Sequence, residues 1–88
     1  MKKTDQKPIF PLFEARPGRL LRVMIFSGGS GIEHKLRQLG VKPGDCIELL
    51  RRAPFDGPLL IRVRKREIAL GIGVAANILV EAAECDLP

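Results

Sequence analysis

The chain contains no tryptophan and no tyrosine, a single histidine and only two cysteines among 88 residues. Each shortage removes a class of chemistry. The basic run "RVRKR" lacks stacking partners, because none of the four phenylalanines (Phe10, Phe13, Phe26 and Phe55) is on the segment that carries the arginines. Single-stranded nucleic-acid binders join a basic groove to aromatic platforms on one surface, so no nucleic-acid partner is expected. A structural zinc site takes four Cys or His ligands at short paired spacings. His34, Cys46 and Cys85 offer neither the number nor the spacing, and no metal ligand and no cofactor-binding residue is assigned. Nucleophilic catalysis needs a nucleophile, a base and an orienting group within reach. Here Thr4, Ser27, Ser30 and the two cysteines share one histidine, which falls on the solvent side of a helix. No catalytic residue is assigned, and the chain does not read as an enzyme.

Long apolar runs are missing too. No stretch approaches the ~18 residues that a membrane-spanning helix needs. The opening "MKKTDQKPIFPLF" is broken by Asp5, Lys7, Pro8 and Pro11 and does not read as a secretory signal. A soluble cytoplasmic protein with reduced cysteines is the expectation.

What is present describes one small domain. Hydrophobic residues make up 45% and charged residues 28%, while nine glycines and seven prolines favour short strands and many turns. The divisions expected are a tail over residues 1–10, a domain over 11–83 and a C-terminal tail over 84–88. "PLFEARPG" suits one helical turn beginning at Pro11, with Leu12 and Phe13 as apolar anchors. "RLLRVMIF" alternates as a strand that turns Leu21, Val23 and Ile25 inward and Met24 outward. "SGIEHKLRQLG" carries helix signals. Ser30 and Glu33 fit a capping box, Ile32, Leu36 and Leu39 share a face, and Gly40 ends the helix before Pro43. "DCIELLRR" reads as a strand with Ile47 and Leu49 inward and Leu50 outward. "LLIRVRKREIALG" reads as two strands folded back around Lys65 and Arg66, and "ILVEA" as a closing strand. The architecture expected is mainly β: a small, partly closed barrel of about five short strands with one or two short helices.

Two glycine motifs look like nucleotide sites and fail on spacing. In "GGSG" the fifth position after Gly28 is Glu33, where a phosphate-binding loop needs its closing Gly-Lys pair, and a carboxylate there repels phosphate. "GIGVAA" from Gly71 has the dinucleotide pattern without the following βαβ unit or acidic residue. Both are read as turns.

The net charge of +5 suits an acidic partner, nucleic acid or an anionic lipid surface, or serves solubility alone. Alternation places Arg62, Arg64 and Arg66 on one solvent face as a like-charge cluster, with Arg51 and Arg52 nearby. These three arginines are the expected partner-binding residues, with the outward apolar Met24 and Leu50, or the helix face carrying His34 and Arg37, as the alternative surface.

The succession "LFEARPG", "GGSG", "KLRQLGVKPGD", "IELLRRAPFDGPLLIRV" and "IALGIGVAANILVE" resembles the FeoA family over residues 11–82. "LGVKPGD", "GPLLIRV" and "IALG", in order and at family-like spacing, carry that resemblance. It implies an SH3-like β-barrel without catalytic activity, a role in ferrous iron uptake, and contact with the cytosolic GTP-binding region of a FeoB-type transporter. Any membrane association would then be through the transporter, with self-association open. A second reading stays open: the same barrel occurs as the C-terminal domain of iron-dependent repressors, so a stand-alone regulatory or nucleic-acid-binding barrel is the alternative.

Overall fold

The structure, a computed structural model, describes residues 7–84; the extreme tails, with Thr4 and Cys85, lie outside the described residues. One antiparallel sheet holds six strands. These are β1 (Phe10–Pro11), β2 (Leu20–Phe26), β3 (Cys46–Arg52), β4 (Leu59–Val63), β5 (Arg66–Leu70) and β6 (Ile78–Ala82), in the order β1-β6-β2-β3-β4-β5. The sheet curls into the SH3-like barrel. Helix α1 (Ser30–Leu39) joins β2 to β3, the four-residue α2 (Ile72–Ala75) joins β5 to β6, and a 3-10 turn (Leu12–Glu14) follows β1 at Pro11.

The period-two pattern decides the inward face. Leu21 and Val23, Ile47 and Leu49, Leu59, Ile61 and Val63, Ile68 and Leu70, and Ile78 and Val80 form the buried interior. Leu12, Leu36, Val41 and Ala75 add to it from the turns and helices. Among the described residues no helix is long and apolar enough to cross a membrane.

One expectation changes because a β-bulge resets the alternation, and a second bulge falls in β3. The β2–β6 register runs Val23↔Val80 and then Ile25↔Leu79, so Met24 is an extra residue in β2. Beyond it the phase inverts. Ile25 turns outward and is 52% exposed, while Phe26, opposite the buried Ile78, packs against the core. Along the β3–β4 pair the step from Leu49↔Ile61 to Arg51↔Leu60 makes Leu50 the extra residue of β3.

The start of α1 also departs from expectation. Gly29 is the N-cap, at φ 90° and ψ −176°, and no side chain caps the helix. Ser30 is the first helical residue. The Glu33 carboxylate accepts from Arg37 instead, at 2.9 Å and one turn on. A capping box needs its serine outside the helix in extended backbone, and two consecutive glycines at φ 91° and 90° place Ser30 inside. Gly28 has a second reason to lack a side chain, since a Cβ would lie 2.7 Å from Cγ of Asn77. The "GGSG" run therefore turns the chain tightly past α2. At the other end of α1 the backbone ends as the sequence implies. Gly40 is left-handed at φ 88°, and the Val41 N–H donates to the Leu36 carbonyl at 2.9 Å.

Candidate docking site at the basic end of the barrel

The chain turns three times at one end of the barrel. Lys42–Asp45 forms a turn with Pro43 and Gly44 (φ 93°) at its centre, and the Asp45 N–H donates to the Lys42 carbonyl at 3.1 Å. The C-terminus of α1 ends beside it. The β4–β5 hairpin closes here through Arg64 and Lys65, both at positive φ (47° and 69°), with Val63 paired to Arg66. That turn comes one residue earlier than expected. A two-residue turn with both φ positive matches the strand twist, and it takes Arg64 out of β4 and toward Asp45.

Asp45 joins the three turns. Its carboxylate, nearly buried, accepts the Lys42 N–H at 2.9 Å through one oxygen and the Arg64 guanidinium at 2.8 Å through the other. Arg64 also donates to the Gly40 carbonyl, and Arg66 donates to the Leu39 carbonyl at 2.9 Å. Two cations thus satisfy the orphan carbonyls at the negative end of the helix dipole. The exposed remainder of this end is basic: a groove of about 410 Å³ is lined by Arg37, Gly40, Val41, Lys42, Pro43 and Arg64. Lys42 and Lys65 are exposed and form no ion pair among the described residues.

The structure divides the residues expected to bind a partner. Arg64 and Arg66 meet at this end. Met24 adjoins it, because the Val23 backbone bonds to Gly44 and Asp45 at 2.7 and 2.9 Å. Arg62 is on the outer sheet face between Glu48 at 3.4 Å and Glu67 at 3.2 Å. Leu50 is toward the opposite end, where Leu49 bonds to Gly18 and Arg19. The three arginines are not one cluster: Arg62 stands apart between two carboxylates, while Arg64 and Arg66 are neighbours over the end of α1. A third guanidinium reaches the basic end, where Arg22 donates to the Gly44 carbonyl at 3.1 Å. Toward the opposite end Arg52 donates to the Phe13 and Ala15 carbonyls. The Arg52 role has no sequence signal, because its partners stand 37 and 39 positions away.

Cys46, expected to be reduced, is disulfide-bonded. Among the described residues no three His, Cys, Asp or Glu side chains gather closely enough to hold a metal ion.

Comparison with known proteins places this arrangement. A candidate Fe(2+) transport protein A from Methanocaldococcus jannaschii is 32% identical over 76 residues, 86% of this chain and 90% of the relative. The crystal structure of an iron uptake regulatory protein (FeoA) matches at 32% identity with a TM-score of 0.78, over 86% of this chain and 99% of that one. A manganese-dependent transcriptional repressor matches in fold at 20% identity and a TM-score of 0.80, over 92% of this chain and 45% of the repressor. The FeoA domain model matches residues 10–82, and the chain belongs to the FeoA domain family.

Proposed function

We propose that the protein is a non-catalytic accessory protein of ferrous iron uptake, acting in the cytoplasm through contact with the GTP-binding region of a FeoB-type transporter. The observation that carries this reading is the family match over residues 10–82, together with a relative of nearly the same length named for Fe(2+) transport. Iron in this reading is cargo of the transporter. The chain's own contribution is a surface.

The basic end of the barrel supports docking against an acidic face. Arg64 and Arg66 are held in place by Asp45 and the helix carbonyls, so the positive charge is preorganised at little entropic cost. Lys42 and Lys65 stand free at the rim, where charge steers encounter more than it holds the final complex. Half-buried Met24 and Arg62 on the outer sheet face flank this surface, while Leu50, toward the opposite end, is not part of it. The likeness to manganese-dependent repressors, at 20% identity, bears on the shared barrel fold alone.

Charge reversal tests the surface without touching the fold. Lys42 takes part in folding through its backbone N–H, and Lys65 occupies a left-handed turn position that aspartate tolerates. Lys42→Glu with Lys65→Asp is expected to slow association with the transporter's cytosolic region by about tenfold or more at low ionic strength, and to flatten its salt dependence. Surface capture at two salt concentrations reads both. Unchanged association would move the docking face to the outer sheet around Arg62.

A further inference from the structure

Phe55 is 98% exposed, against 52% for Ile25 and 47% for Ile9, the other exposed large hydrophobics among the described residues. It forms the tip of the β3–β4 hairpin, at the end of the barrel opposite the basic groove. Phe55 and Asp56 both have positive φ (59° and 58°), with the Gly57 N–H donating to the Pro54 carbonyl at 3.1 Å and the Ala53 N–H to Pro58 at 2.9 Å. Asparagine and glycine are the usual residues for such a turn, whereas a bulky side chain at positive φ is strained. The fold therefore accepts a backbone cost to hold an aromatic ring fully in water. The turn is also tight, since a Cβ on Gly57 would lie 2.8 Å from that of Ala53.

Behind the tip stands a basic rim. Arg51 is exposed in β3, and Arg52 is fixed against the Phe13 and Ala15 carbonyls. The loop carrying the exposed Arg16 and Arg19 runs beside the same strand, with Gly18 and Arg19 bonded to Leu49 at 2.7 and 3.3 Å. Glu14, Asp56 and Glu84 are the acidic groups nearby, the last following Ala83, which bonds to Leu20, so among the described residues the four arginines outnumber them. One protruding ring on a narrow convex tip cannot supply the roughly 800 Å² per partner of a stable protein interface. It does suit a soft interface that takes an apolar tip ~5–10 Å into the headgroup boundary while cations meet anionic headgroups.

We infer that the β3–β4 hairpin tip, with Phe55 as the inserting side chain and Arg16, Arg19, Arg51 and Arg52 as the cationic rim, binds the surface of anionic phospholipid bilayers. This membrane contact is independent of the proposed transporter docking, which uses the other end of the barrel. The absence of tryptophan supplies a clean test. Phe55→Trp becomes the sole indole, and its emission is expected to shift to shorter wavelength with vesicles of mixed phosphatidylglycerol and phosphatidylcholine, but not with phosphatidylcholine alone. Phe55→Asn relieves the turn. It should melt at or above the wild-type temperature yet sediment with anionic vesicles at least about tenfold more weakly. Arg16→Glu with Arg51→Glu should abolish the preference for anionic vesicles. No shift on anionic vesicles at low salt, an equal shift on both compositions, or a shift seen only with the transporter's cytosolic region would each overturn the inference, the last by assigning the tip to a protein pocket.

Discussion

Leu36→Ala is expected to destabilise the protein by about 2–5 kcal/mol, the range for truncating a large buried aliphatic side chain. Leu36 has no exposed surface and is the residue through which α1 enters the interior. Ile32 and Leu39 only flank it and are partly buried. Its carbonyl also accepts the Val41 N–H that closes the helix, and Val41 is itself fully buried. A cavity under the last turn of α1 should therefore loosen the Lys42–Asp45 turn as well. Ser30→Ala makes the contrast. Because Gly29 is the cap and Ser30 makes no capping bond, its loss should stay within about 0.5 kcal/mol, as for an ordinary surface change. Denaturant melts of the two variants give the ordering. Comparable losses would mean that Ser30 caps α1 after all.

Asp45→Ala is expected to cost about 1–3 kcal/mol, chiefly from leaving the Lys42 N–H without its acceptor. The Arg64 pair adds less, since that side chain is 42% exposed and water can replace the carboxylate. Asp45→Asn keeps an acceptor for the Lys42 N–H and should recover most of the loss. Both can be read from urea midpoints at neutral pH. A loss for Asp45→Ala within the scatter of surface substitutions would show that the three turns at the basic end are held by their backbones alone.

The parts legible in the sequence were those set by local periodicity. Alternation marked Ile47, Leu49, Ile61 and Val63 as inward, and all are fully buried. The Ile32, Leu36 and Leu39 spacing with Gly40 marked the helix and its left-handed end. Failures occur where one residue changes the local count. Nothing in "RVMIF" signals a bulge, because the extra residue at Met24 is set by pairing with β6, more than fifty positions away. Ser30 and Glu33 have capping-box spacing, yet the glycine pair before them decides which residue enters the helix first. The arginines were the hardest to place. Charge on an alternating strand implied a shared outer face, but a long guanidinium reaches where acceptors converge: Arg62 to Glu48 and Glu67, Arg64 to Asp45, Arg66 to Leu39. Those acceptors become neighbours only once the barrel has closed.

We propose that this FeoA-family chain works by binding the transporter. Titration calorimetry of the full chain against the isolated cytosolic GTP-binding region of the FeoB-type protein from the same genome tests it most directly, with the nucleotide-free, GDP-loaded and GTP-analogue states measured in parallel. The predicted result is saturable binding with one chain per cytosolic region in at least one nucleotide state, weakening as salt rises. Absence of binding in all three states at low salt, with both proteins folded, would contradict it.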